Sequence, residues 1–113
     1  MTEIERFPGK ARGRCRAVAQ GNLVWSVATG PGASVAEQTR ATLESLEANL
    51  KDAGSGKDRI LEAVVYLADM ATKAEMDAVW CDWIPEDGWP CRACVGAPLA
   101  PGDLVEIKVT ALR

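Results

Sequence analysis

One uninterrupted helical pattern, bracketed by Gly30-Pro31-Gly32 and Gly54-Ser55-Gly56, lies between runs that read as strands. This interleaving limits the available folds more than any other feature of the chain. Ser34 with Glu37 makes an S-x-x-E capping box at the head of the pattern. Val35, Thr39, Leu43, Leu46 and Leu50 then recur at steps of three and four, while Glu37, Arg40, Glu44, Glu47 and Lys51 occupy the other faces. Such a helix packs one stripe on a sheet.

Upstream, Arg14 to Gln20 and Leu23 to Thr29 are strand-like runs separated by Gly21-Asn22, a pair suited to the positive backbone angles of a tight hairpin turn. Downstream, Ile60 to Met70 is a β-branched and aromatic run around Val64-Val65-Tyr66. A second capping box, Thr72 with Glu75, opens a shorter helix carrying Met76, Val79, Trp80 and Trp83, which stops at Pro85. Cys91 to Ala97 and Leu104 to Leu112 read as two more strands, joined by a turn from Pro98 to Asp103. The order is ββαβαββ, with room for an extra N-terminal strand. It implies an α+β domain, with both helices on one face of the sheet. In so short a chain the other face needs a cover, and neighbouring copies of the chain are the expected one.

At 113 residues with no internal repeat, the chain is expected to form one domain, 1–113. A net charge of −3 with scattered Lys and Arg gives no field for nucleic acid. No apolar run approaches the roughly 20 residues of a membrane-spanning helix. The start MTEIERFPGK lacks a secretory signal pattern, so a cytoplasmic setting is expected. Cys91 and Cys94 form a C-x-x-C, but on a strand their side chains point to opposite faces. With no histidine and no second C-x-x-C, no metal site is expected. Cys15, Cys81, Cys91 and Cys94 are read as reduced, small apolar residues.

The absence of histidine also excludes Ser-His-Asp and Cys-His catalysis, leaving carboxylates and arginines. Arg92, in PCRACVG, is a guanidinium within an otherwise small and apolar strand, where it is costly unless paired. Glu106 shares one strand face with Leu104 and Lys108, and Val105, Ile107 and Val109 share the other. A planar guanidinium grips a carboxylate at two points and a carboxylate anchors water, so these two residues have the parts for handling a small acid. Each has a plainer reading: Arg92 as an ion pair with an acidic neighbour at a subunit contact, Glu106 as the solvated face of an edge strand. Trp80, Trp83, Trp89 and Tyr66 are read as core rather than as pocket walls.

At these residues the chain resembles the RidA/YjgF family, from about Gly13 to the C-terminus. The blocks are AEQTRATLESLEANLKDAGS, VVYLADMATKAEMDAVW and, most specific, PEDGWPCRACVGAPLAPGDLVEIKVTALR. The resemblance implies a chorismate-mutase-like fold of the bacillus type: a mixed sheet with two helices on one face, assembled as a homotrimer with clefts between subunits. It further implies an enamine/imine deaminase, a hydrolase acting on C=N bonds without cofactor. Its substrates would be reactive 2-imino acids of the 2-aminoacrylate type, and its products 2-oxo acids and ammonia. Arg92 would bind the substrate carboxylate, Glu106 would hold or activate the water, and the Cys94 segment would contribute backbone contacts.

Three departures from the family pattern bear on the pocket. Arg14 stands where a tyrosine is usual, Val27-Ala28-Thr29 replaces a Ser-Gly-Gln segment, and Asp77 stands where an asparagine is common. Arg14 and Asp77 either pair with each other, or Arg14 meets a second acidic group on the substrate. The competing function is a non-catalytic carboxylate-binding trimer of the same fold. A ribonuclease role is disfavoured by the acidic balance and the lack of histidine.

Overall fold

The central helical pattern is realised as α1, Val35–Asp52, in a computed structural model that describes residues 3–113. Met1 and Thr2, which open the N-terminal stretch read above, lie outside the described residues. The Ser34 side chain accepts from the Glu37 amide at 3.2 Å as the box requires, while the Glu37 carboxylate reaches one residue further back and accepts from the Ala33 amide at 2.7 Å rather than from that of Ser34. Past the C-cap Ala53, Gly54 takes φ +84°, a conformation that favours glycine. Leu43, Leu46 and Leu50 are buried together, each contributing about 1.5–3 kcal/mol of burial.

Six strands follow the expected order with the additional first one: β1 Glu5–Pro8, β2 Cys15–Gln20, β3 Leu23–Ala28, β4 Ile60–Leu67, β5 Cys91–Gly96 and β6 Val105–Leu112. The second helix, α2, spans Lys73–Trp83 between β4 and β5. In space the sheet runs β1-β2-β3-β6-β4-β5, with all pairings antiparallel except β4 with β5. Because β6 is antiparallel to both β3 and β4, those two strands run the same way and α1 is the crossover between them. The sheet is therefore mixed. One core joins Val24, Val65, Leu67, Val105, Ile107 and Val109 to residues of both helices, so both helices cover the same face. Among the described residues no helix is long and apolar enough to cross a membrane.

The other face is uncovered. Strict alternation in β6 buries Val105, Ile107, Val109 and Ala111 and leaves Glu106, Lys108 and Thr110 on the far side. Ladder partners place Tyr66 beside Glu106 and Val95 beside Tyr66 on that same open face.

Several expectations are corrected. The box at Thr72 and Glu75 does not form. The Thr72 hydroxyl donates to the Asp69 carbonyl within a short 3-10 turn, Met70–Thr72, and β4 has already ended at Leu67. The Glu75 carboxylate instead accepts from the Ala36 amide at 2.8 Å, capping the first turn of α1. At the hairpin only Gly21 takes a positive φ, +57°, and Asn22 stays in the ordinary region. Trp80 is core and Trp83 packs against it, but Trp89 is 73% exposed and Tyr66 is half-buried on the open face. The cysteines carry no disulfide, yet Cys81 and Cys91 are exposed rather than packed as apolar filler. Glu106 is not on an edge strand, since β6 lies between β3 and β4.

Candidate functional site

The candidate residues fall into two groups on opposite faces of the sheet. Arg92 pairs in the ladder with Ala63 and Cys94 with Val65, both core positions, so Arg92 and Cys94 lie on the helix-covered face at the β5 edge. There the Arg92 Nη2 donates to Asp77 Oδ1 at 2.6 Å, its Cζ lies 5.2 Å from the centre of the Trp80 ring, and Nη1 faces the Met76 sulfur at 3.8 Å. Lys73 donates to the other Asp77 oxygen at 2.7 Å from one turn earlier on α2. Asp77 thus holds one edge of the guanidinium in a fixed plane. Cys94 packs partly against the core, and β5 as an edge strand leaves its outward backbone groups unpaired by the sheet.

Partial burial pulls the Asp77 carboxyl upward. Hydrogen bonds from Lys73 and Arg92, with the charges of both, outweigh that pull and hold it below the ordinary carboxylate range. Asp77 is therefore more readily ionised than a free carboxylate, and the acidic neighbour of Arg92 lies on α2 of the same chain rather than at a subunit contact. Asp77 and Arg14 do not pair with each other here.

Glu106 belongs to the second group. It lines an open pocket of about 210 Å³ with Arg14, Lys10, Asp103 and the Val27-Ala28-Thr29 segment. Among the described residues neither Glu106 nor Arg14 has a hydrogen-bond or ion-pair partner. The wall opposite β3 is the Pro98–Asp103 turn, which Gln38 positions. Buried on α1, its amide donates to the Gly32 and Gly102 carbonyls at 3.1 and 2.9 Å and accepts from the Leu104 amide at 2.9 Å. Arg16 also borders the pocket but is committed elsewhere. The register shift between Phe7 and Pro8 makes it the unpaired extra residue of β2 and turns it to the helix side. There it meets Asp52 at 2.9 Å, Asn49 at 3.0 Å and the Pro8 carbonyl at 3.1 Å.

One chain therefore brings Arg92, Cys94 and Asp77 together, and Arg14 and Glu106 together, without joining the two groups. Sequence reasoning missed Lys73, although its i, i+4 spacing to Asp77 was a usable signal. It also missed Gln38 and Lys10, for which the sequence offers none. Among the described residues no three Cys, Asp or Glu side chains come together to hold a metal ion.

A split β-α-β sheet backed by two helices, with a braced arginine at one edge and an unpartnered carboxylate on the open face, defines a small α+β protein with polar clusters on both sides of its sheet. Residues 15–113 match the family model described as Endoribonuclease L-PSP. A RutC family protein from Haemophilus ducreyi is 41% identical over 76 residues, which span 66% of this chain and 65% of that relative. The RutC family protein YoaB from Escherichia coli is 41% identical over 76 residues, spanning 66% of this chain and 67% of YoaB. A solved YjgF-family structure from Neisseria meningitidis superposes with a TM-score of 0.93 at 39% identity, covering 98% of this chain and 95% of that one. A YjgF-family member from Mycobacterium tuberculosis superposes at 0.90 with 28% identity, covering 98% of this chain and 100% of that one. The chain belongs to the RidA/YjgF family.

Proposed function

We propose that this protein hydrolyses reactive 2-imino acids and their enamine tautomers to 2-oxo acids and ammonia, in clefts shared by adjacent copies of a homotrimer with the chorismate-mutase-like arrangement. The observation that carries this reading is the separation of Arg92 and Glu106 on opposite faces of one sheet, each with open valence. A second copy laid against the uncovered face would supply the missing half to each. That face carries Val18, Trp25, Val64, Tyr66 and Val95 among its polar residues, apolar area that a neighbouring copy would remove from water.

In such a cleft, the free edge of Arg92 takes the substrate carboxylate in two-point contact, while Asp77 and Trp80 fix its plane. Glu106 of the adjoining copy holds a water against the C=N carbon, accepts its proton as the C–O bond forms and passes that proton to the imine nitrogen, which becomes an amine and leaves Glu106 ionised again. In the resulting carbinolamine, Glu106 takes the hydroxyl proton and returns it to nitrogen as the C–N bond breaks, releasing ammonia and the 2-oxo acid. The atoms balance without metal or organic cofactor. Because the substrate is already reactive, modest acid-base help and orientation suffice.

The test generates imino acids in situ with an amino-acid oxidase and follows oxo-acid release. Wild type is expected to accelerate release over buffer, and Arg92→Ala to lose at least about a hundredfold in kcat/KM through the lost carboxylate anchor. No acceleration by wild type across several side-chain types would refute the reading. A second reading, a non-catalytic carboxylate-binding trimer, is favoured by the lining beside Glu106, where Val27 and Ala28 offer apolar side chains and only Thr29 a hydroxyl. Tight oxo-acid binding with no turnover is its signature. The net charge of −3 and absence of histidine give RNA cleavage no support in this chain.

A further inference from the structure

We infer, on the basis of the imine chemistry proposed above, that the preferred substrate carries a second carboxylate at the end of its side chain, and that Arg14 is the residue that reads it. The cavity around Glu106 holds three cations, Lys10, Arg14 and Arg16. Arg16 is spent on Asp52, Asn49 and the Pro8 carbonyl, and so offers a ligand little. Arg14 and Lys10 are different. Both are exposed on the Gly9–Arg14 rim, and among the described residues neither makes an ion pair or hydrogen bond.

The cavity does contain acids, Asp103 and Glu106, but neither stands within ion-pairing distance of a cation among the described residues. The two free cations both line the cavity from the exposed N-terminal rim, while Asp103 is half-buried in the turn whose amide closes on Ala100. Between rim and turn the lining is mixed, with Val27 and Ala100 beside Cys15 and Thr29, and the passage is open enough to take a short side chain. A substrate held at its reacting end by Arg92 of the neighbouring copy, with its imine carbon beside Glu106, would direct its side chain along this passage to the rim. A planar guanidinium there matches a carboxylate at two points, and Lys10 adds a second positive charge. An apolar side chain would leave both cations without a counter-charge.

Calorimetry with stable product-like acids tests this without requiring turnover. The probes are 2-oxoglutarate, the chain-matched 2-oxopentanoate, and 2-oxo-5-guanidinopentanoate. Wild type is expected to bind 2-oxoglutarate about ten- to a hundredfold more tightly than 2-oxopentanoate. Arg14→Gln is expected to shrink the ratio to less than about threefold, and Arg12→Gln, which removes the same charge two residues away, to retain it. Equal binding of the two acids by wild type, a preference that survives Arg14→Gln, or tighter binding of the guanidino acid would overturn the assignment while leaving the imine chemistry standing. If no oxo acid bound at all, the functional reading would fall and this assignment with it.

Discussion

Removing the Asp77 carboxylate should destabilise the fold by an amount that the geometry sets and that pH can switch off. The Arg92 arm is a charge-assisted hydrogen bond at 2.6 Å between side chains 18% and 30% exposed, worth about 1.5–2 kcal/mol after some solvent screening. The Lys73 arm ends on a side chain 44% exposed and adds about 0.3–0.5 kcal/mol. Asp77→Ala should therefore cost about 2 kcal/mol, or roughly 8 °C in Tm for a chain of this size. Asp77→Asn, which keeps an acceptor oxygen but loses the charge, should cost about half as much. The folded carboxyl titrates below its ordinary value, so its stabilisation is complete above the unfolded value of about 4 and disappears as pH falls through the folded one. The gap between wild type and Asp77→Asn should stay constant from about pH 8 to 5 and narrow below about pH 4. Urea denaturation at fixed protein concentration measures both. Equal stability of wild type and Asp77→Ala at pH 7, or a gap undiminished in acid, would refute this account of the Arg92 brace.

Further outcomes follow from the same contacts. Gln38→Leu removes the side-chain partner of two carbonyls in exposed turns and of the half-buried Leu104 amide, and should cost about 1–2 kcal/mol in urea unfolding while raising KM, because the turn walling the Glu106 pocket loses its anchor. Glu75→Ala should cost about 1 kcal/mol by uncapping α1, and Thr72→Ala less; the reverse order in thermal melts would contradict the cross-helix cap. Glu106→Gln should depress kcat more than KM for imine hydrolysis if Glu106 acts on the water, whereas a predominant rise in KM would assign it to binding.

Local structure is legible in the sequence where a residue acts on its neighbours. The Ser34 cap on the Glu37 amide, the α1 stripe and the alternation of β6 all depend on spacings of two to four residues and are found as expected, with the return arm of the Ser34–Glu37 box shifted by one residue to Ala33. Failures came where the partner is distant. Glu75 has the spacing of a capping box but caps a helix 39 residues earlier, and Arg16 breaks the parity of its strand because of a register shift with β1. Trp89 falls outside the helical spacing that buries Trp80, and is exposed. For the candidate site, the types and positions of Arg92 and Glu106 stood out, as did the face each occupies within its own strand. Their placement on opposite faces of a common sheet required the inter-strand register, which no single run of residues encodes.

Mixing two disabled variants addresses the shared cleft most directly. Arg92→Ala and Glu106→Gln chains, each purified, unfolded and refolded together in equal amounts, should regain about a quarter of wild-type imine hydrolysis, since random assembly leaves one cleft in four with both intact residues. Each variant refolded alone should remain inactive. If the mixture stayed as inactive as its parents while co-assembly was demonstrated by mass, Arg92 and Glu106 would not act on one substrate from neighbouring copies.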